Sequence, residues 1–447
     1  MIKRIRKIIS IFQCLLLACF YYPISGCAYS NKYSFKKIKY IDYSFYYGDM
    51  VKARNKYEEA ANQSDRNYAL WNNQLGSVYL AQGNKPGALD SFLKSYYLMN
   101  DISAFSELEA SAISLSGSED RKAYKGDPYE KAINSLYVGL LLYDKGDLEN
   151  AMAAFKNGIL ADSDSEKESY KSDFSILYLL ASRTAKKLGN ESLSKDFEKE
   201  VEELSVERDF DNPDGKDIAA REMVNLSNNT LLVFELGQGP LKHRLGKYGE
   251  MAVISRGDYK IYDRNLIIDG NINAGAKAYF DSDVYFQANT RGGREMDGIL
   301  RGQARFKDNS AKTSLTMVKA STQMIDSANS ARRANPYADT AGYLAVAGIF
   351  AIFAAGSAIA SAATNPKADI RHWSLLPANI VIFPLFLAPG KHKIGVMFHK
   401  NVYSSVLGES VLRESVIDFE VDIHEEKDNV IFKRVMKDRV LGSVSDR

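Results

Sequence analysis

Gly146-Asp147-Leu148-Glu149-Asn150-Ala151-Met152-Ala153-Ala154-Phe155-Lys156-Asn157-Gly158 carries the spacing on which the fold turns. From the first glycine, a small residue follows at +5, an aromatic at +9 and another small residue at +12. The same spacing starts at Gly48 (Ala53, Tyr57, Ala60) and at Gly83 (Ala88, Phe92, Ser95). A second small position precedes two of these units: Leu75-Gly76 with Tyr79, and Val138-Gly139 with Leu142. Residues three and four apart share a helix face. Small residues on that face let two helices cross closely, and the aromatic fills the space beside them. Tight turns at Gly48-Asp49, Gly83-Asn84 and Gly146-Asp147 divide the first helix of each pair from the second. At Asp127-Pro128-Tyr129-Glu130, Asp127 can cap a helix, Pro128 suits its first turn and Glu130 can reach back to the cap.

Helix pairs recurring at about 34 residues mark repeat arrays, and this pattern resembles the tetratricopeptide repeat. A degenerate fourth unit runs from Phe174 through Gly189 to Phe197. The resemblance implies stacked pairs whose concave groove takes a peptide or partner protein. An architectural array packed on the rest of the chain fits the same residues. Tyr40, Tyr43, Tyr46, Tyr47 and the pair Tyr96-Tyr97 are groove anchors on the first reading and core on the second.

Turn residues cluster in the polar stretch from Glu202 to Lys216, which includes Asn212-Pro213-Asp214-Gly215. The expected organisation is a signal peptide at 1–26, a helical repeat domain at 27–205, a linker at 206–217 and a mixed α+β domain at 218–447. In the last, Thr230 to Leu236 reads as a largely buried strand with Glu235 its only charge. It runs into Gly237-Gln238-Gly239-Pro240-Leu241-Lys242. The glycines permit a tight turn and close backbone approach, and Pro240 argues against a phosphate-binding helix start. Lys242, His243 and Arg244 read as a solvated basic turn. Residues 295–331 read as one or two helices with Ile299, Leu300, Leu315, Val318 and Ile325 as core positions. Pro389-Gly390 opens a hairpin-like run. Ile417, Phe419, Val421 and Ile423 then alternate strictly with Asp418, Glu420, Asp422 and His424, the period of a half-buried strand. Glu425 to Asn429 is the expected turn and Val430 to Val435 the return strand, giving a small antiparallel, sandwich-like end. His399 and His424 fall on wet strand faces.

Ala341 to Ala363 has no charge and is rich in Ala, Gly, Ile and Phe. Its length matches a bilayer span. The competing readings are a transmembrane helix, a hairpin packed on membrane or on another subunit, and a buried small-residue helix.

The N-terminus has the form of a targeting segment. Lys3, Arg4, Arg6 and Lys7 precede the uncharged, mostly apolar stretch from Ile8 to Ile24, as in a secretory signal. Ile24-Ser25-Gly26-Cys27 resembles a bacterial lipobox. That resemblance implies diacylglycerol transfer to the Cys27 thiol, cleavage before it and acylation of the new amine, commonly with palmitate. Two or three chains anchor stably where one is marginal. Ala28, rather than an aspartate, implies the outer membrane.

Losing the signal changes the totals. Of 58 Lys and Arg, four leave, so 54 face 56 Asp and Glu, a net of about −2. No excess of basic charge points to nucleic acid. Cys14 and Cys19 leave too, and Cys27 carries lipid, which excludes disulfides, cysteine catalysis and zinc–thiolate sites. No Gly-X-Ser-X-Gly, no His-Glu-X-X-His and no metal-spaced ligand cluster is present, so no catalytic residue, metal or cofactor is assigned.

Four stretches carry a further resemblance: Lys125-Gly126-Asp127-Pro128-Tyr129-Glu130-Lys131; Leu236-Gly237-Gln238-Gly239-Pro240-Leu241-Lys242; Ala368-Asp369-Ile370-Arg371-His372-Trp373-Ser374-Leu375-Leu376-Pro377; and Leu387-Ala388-Pro389-Gly390-Lys391-His392. In this order they resemble a family of bacterial lipoproteins with tetratricopeptide-like repeats, themselves similar to neighbours of the lipoproteins that activate penicillin-binding proteins. The sequence departs from that pattern at Ile370 and in a longer apolar segment. The resemblance supplies no catalytic residues. The expectation is a lipid-anchored, periplasm-facing envelope scaffold that binds a protein partner through its repeats and is open to self-association. A membrane-inserting oligomer using 341–363 is the first alternative, and an envelope hydrolase the second.

Overall fold

The computed structural model describes residues 35–63, 66–100, 123–163, 174–206, 220–257, 263–272, 280–290, 295–335, 340–363, 367–404, 409–425, 427–436 and 439–440. The signal peptide, Cys27 and all but the first residue of the 206–217 linker lie outside them. The chain is mixed helix and strand, with helices in its N-terminal half and sheets towards its end.

Eight helices form four consecutive pairs: α1 (Phe35–Tyr46) and α2 (Met50–Asn62), α3 (Tyr68–Ala81) and α4 (Lys85–Asn100), α5 (Pro128–Lys145) and α6 (Leu148–Asp162), α7 (Ser175–Lys187) and α8 (Glu191–Val206). From α2 onward each helix packs on the next. Every pair turns the same way. Gly48, Gly83, Gly146 and Gly189 take φ of 87°, 75°, 85° and 72°, a left-handed conformation that costs glycine little. The residue after each glycine then caps the second helix. Asp49, Asn84, Asp147 and Asn190 accept from the backbone N–H of Lys52, Gly87, Asn150 and Leu193 at 3.1–3.4 Å.

Within the pairs, small residues and rings interlock. A Cβ added to Gly76 would lie 2.4 Å from the Phe92 ring, and one added to Gly139 would lie 2.3 Å from that of Phe155. Ala53, Tyr57, Ala60, Ala88, Ala151 and Gly158 are buried in the same stack.

The second half builds three sheets. The largest has strand order β11-β10-β1-β7-β6, from β1 (Thr230–Leu236), β6 (Phe280–Asp283), β7 (Asn379–Leu385), β10 (Asn429–Met436) and β11 (Arg439–Val440). A second has order β5-β4-β8-β9, from β4 (Asp263–Ile268), β5 (Asn271–Ile272), β8 (Gly390–Ser404) and β9 (Glu409–Ile423). The third pairs β2 (Leu241–Leu245) with β3 (Met251–Ser255). One apolar cluster draws on the two larger sheets: Leu232, Phe234 and Phe383 from one, and Leu266, Ile394, Val396 and Val421 from the other. Successive strand residues face opposite ways, so Leu231, Val233 and Glu235 lie on the other face of β1. That strand is buried along its whole length.

The expected return strand takes a different course. Val430 to Val435 does not fold back on β9. β10 runs parallel to β1, with Leu232 opposite Ile431 and Phe234 opposite Lys433, so the link after β9 carries the chain from one sheet to the other. Alternation fixes which face of a strand is wet but not which neighbour it pairs with.

A helical hairpin follows the short helix α9 (Val284–Thr290): α10 (Glu295–Ala334) and α11 (Ala341–Ala363) pack on each other. Leu315, Val318 and Ile325, expected in the core, are exposed instead. Small groups make the closest part of the contact. Ser314 and Ser321 donate to the carbonyls of Ala354 and Ala347, and Ser361 donates to that of Lys307. Ala328, Ala347 and Ala354 are buried. Among the described residues no helix is long and apolar enough to cross a membrane.

Candidate functional site

Three of the four motif stretches meet where the sheets lie against the helical pairs. At the start of α5, Asp127 and Glu130 form a capping box. Glu130 also reaches into the second half of the chain: its carboxylate accepts from the Trp373 backbone N–H at 2.6 Å, the Tyr124 hydroxyl at 2.6 Å and the Asp127 N–H at 2.7 Å. It is fully buried. Burial pushes its pKa up, while Lys242 and these donors pull it down.

Lys242 is buried and ion-paired with Asp127. The reading of Lys242-His243-Arg244 as a solvated turn is therefore corrected for its first residue: a lysine is buried when a carboxylate is placed to pair with it. His243 remains exposed beside Ser255, and Arg244 donates to the Ala368 carbonyl at 2.9 Å.

The stretch from Ala368 to Pro377 lies across the helices, anchored at every second or third residue. Arg371 grips Asp369 through Nε at 2.9 Å and Nη2 at 2.6 Å, and donates to Asn67 at 2.8 Å. Burial alone would raise the Asp369 pKa; the Arg371 charge and its hydrogen bonds outweigh that and hold it below its ordinary value. The Trp373 indole donates to Ser77 at 2.9 Å. Its ring joins Phe92 and Tyr137, with centroids 5.5 and 5.8 Å away. Gln74 donates to the Ser374 hydroxyl at 2.8 Å and accepts from the Leu375 N–H at 3.1 Å. The Tyr46 hydroxyl donates to the Ser374 carbonyl. Burial lowers the His372 pKa to about 4, so its ring is neutral at pH 7.

Gly237, Gly239 and Pro240 serve this junction. Gly239 donates to the Leu376 carbonyl at 2.8 Å, and a Cβ on it would lie 2.6 Å from that oxygen. Gly237 donates to the Val435 carbonyl, and Arg434 donates back to Gly237 and Leu376. Pro240 and Pro377 are buried. The fourth motif stretch stands apart: Leu387 packs in the cluster between the sheets.

Two further ionic ties were invisible to sequence reasoning, because their members are scattered. Tyr137 donates to Glu235 at 2.6 Å, and Arg434 lies 3.6 Å from the same oxygen. Arg183, fully buried, donates to the carbonyls of Met223, Asn225 and Asn228 and to Asp428. Lone charges spaced through helices and strands give no pattern until the fold pairs them.

The tyrosines divide. Tyr57 is buried and Tyr46 half-buried, whereas Tyr43 and Tyr47, at the end of α1, are exposed and stack at 3.9 Å, and Tyr97 is exposed on α4. Tyr79 bonds to Glu58. His424 is exposed; the His399 side chain lies outside the described residues. Among the described residues no group of His, Cys, Asp and Glu is placed to hold a metal ion.

Fold and site together define a helical array whose contact face is occupied by its own downstream segment. No protein-family model, no curated protein and no solved structure matches the chain.

Proposed function

We propose that this is a non-enzymatic, lipid-anchored protein of the bacterial envelope, held in the outer membrane through Cys27 and facing the periplasm. The helix pairs are read as tetratricopeptide-like repeats and the two larger sheets as a sandwich-like unit. The observation that carries the binding reading is the use of the charged groups. Glu235, Arg371, Arg183 and Arg434 are spent on internal ion pairs and Glu130 on buried hydrogen bonds, a use that favours holding the body together over acting on a substrate. The face of the helices under residues 369–377 is likewise filled. Partner binding, around peptidoglycan synthesis or a secretion complex, then belongs to the outward surface of the helices, where Tyr43, Tyr47, Tyr97 and Leu160 are exposed.

Capture from detergent-solubilised envelopes tests this reading. A partner retained by the wild-type chain and lost with Tyr97→Asp and Leu160→Asp supports it. Retention undiminished by both changes counts against it. Fatty-acid labelling tests the anchor: label on the wild type and none on Cys27→Ser is the expected result.

A second reading, contact with membrane through residues 341–363, is favoured by the large apolar side chains that α11 exposes.

A further inference from the structure

The α10–α11 hairpin is built inside out for a helix pair in water. Soluble helices ordinarily turn their large apolar residues towards the partner and their polar or small residues outward. Here the shared seam carries Ser314, Met317, Ser321, Met324 and Ala328 from α10 against Ala347, Phe350, Ala354 and Ser357 from α11. Other large residues face outward: Leu315 is 64 % exposed, Ile349 52 %, Ile352 57 % and Phe353 60 %. Serine and alanine between Met317, Met324 and Phe350 at the seam, with further large apolar groups outside, is closer to the order of helices packed in lipid, where close backbone approach contributes as much as water exclusion.

Charge points the same way. α11 carries no charged residue over its 23 positions. An apolar helix without a charged margin lacks the polar rim of a protein interface. α10 carries seven Lys and Arg against four Asp and Glu, a net of +3, on a chain that is slightly acidic beyond its first 26 residues. Lys312 and Lys319 flank Leu315 and Val318 on the exposed side of α10. Their stems can lie along apolar surface while the ammonium groups meet phosphates.

We propose that the hairpin lies lengthwise in the surface layer of an anionic bilayer, with the outer face of α11 among the acyl chains and the α10 lysines at the headgroups. Such an interfacial helix needs apolar area and basic residues rather than the length to cross. This deepens the membrane-contact reading given above.

The test uses the full chain with Ile352→Cys carrying an environment-sensitive fluorophore, and Glu200→Cys on α8 as the control. Vesicles contain phosphatidylglycerol and phosphatidylethanolamine, with phosphatidylcholine vesicles for comparison. The expected result at position 352 is blue-shifted emission, quenching by nitroxide on the acyl chains and protection from iodide, all stronger on the anionic vesicles. Position 200 should show the reverse. Iodide quenching at 352 that vesicles leave unchanged overturns the proposal. So does protection that grows with protein concentration in the absence of lipid, since a second copy is then the cover. Ile352→Asp with Phe353→Asp, folded by circular dichroism, should lose about tenfold or more of its vesicle affinity. The anchor fails separately: lipid contact at 352 on a chain without fatty acid at Cys27 removes only the anchor, and a water-exposed 352 on a labelled chain removes only the hairpin proposal.

Discussion

Trp373 donates its backbone N–H to Glu130 at 2.6 Å across 243 positions of chain, and its indole N–H to Ser77 across 296. One residue of the second half thereby satisfies a capping carboxylate and a hydroxyl of the first. Trp373→Ala should cost about 3–5 kcal/mol, the range for removing a buried aromatic. Urea unfolding followed by helix and sheet signals should show one shared transition moving to lower denaturant. A helical transition left in place would mean that the two halves fold independently.

A glycine test separates packing from propensity. In an exposed helix, Gly→Ala stabilises by roughly 1 kcal/mol. At Gly348 in α11 nothing lies within 4 Å of an added Cβ, so Gly348→Ala should follow that rule. At Gly139 the Phe155 ring lies 2.3 Å away, so Gly139→Ala should destabilise by about 1–3 kcal/mol. Thermal melts of the two variants should move in opposite directions.

Acid should strengthen the contact between α1 and α2. Tyr57 donates to Asp42. Burial raises the Asp42 pKa from 3.8 to about 6, against hydrogen bonds from Tyr57 and Ser374 that lower it. A raised carboxyl means that the folded state keeps a proton the unfolded chain has released. Its contribution is therefore full below about pH 4 and falls as pH rises through about 6. Asp42→Asn keeps the site neutral and should remove roughly 3 kcal/mol of that dependence. Glu130 and Glu235 are raised by burial as well, so the difference between variant and wild type isolates Asp42. Denaturation curves that fall in parallel across this range would rule the assignment out.

Arg183 is a fully buried ionic tie between α7 and the chain that follows it, and it shares Asp428 with Lys187. Removing Arg183 leaves the carbonyls of Met223, Asn225 and Asn228 without their buried donor, while Asp428 keeps Lys187 and the Tyr143 hydroxyl; each buried acceptor left unpaired costs about 1–3 kcal/mol. Arg183→Lys should recover little, because an ammonium cannot span the fork-shaped set of acceptors. Equal stability of Arg183→Lys and wild type in urea would contradict this geometry.

The helix pairs are legible in the sequence because their requirements are local. A left-handed turn selects glycine, the following cap selects Asp or Asn, and close helix crossing selects Gly or Ala opposite an aromatic. All of these sit within one helix pair, the glycines only 16 residues from the rings they meet. The strand at 230–236 is legible for the same reason, as an apolar run with a single charge. Partners are not local. Nothing in Val430–Val435 shows that it runs parallel to β1, and nothing at Lys242 shows that Asp127 waits beneath it. The hairpin misleads because a helical period of Leu315, Val318 and Ile325 normally marks a core face; here the neighbouring row of Ser314, Met317, Ser321, Met324 and Ala328 takes the contact and leaves that face outward. The lipobox reading rests on Cys27 and its neighbours alone.

Residues 369–377 fill the face of the helices that a repeat array would otherwise offer to a partner. Native-state hydrogen exchange at the Trp373 and Leu375 amides, which donate to Glu130 and Gln74, tests it most directly. If the segment is part of the core, both amides exchange only through global unfolding and slow together as stability rises. Exchange through a local opening that leaves α3 and α5 protected would show a displaceable strap over an open groove, and would contradict the account.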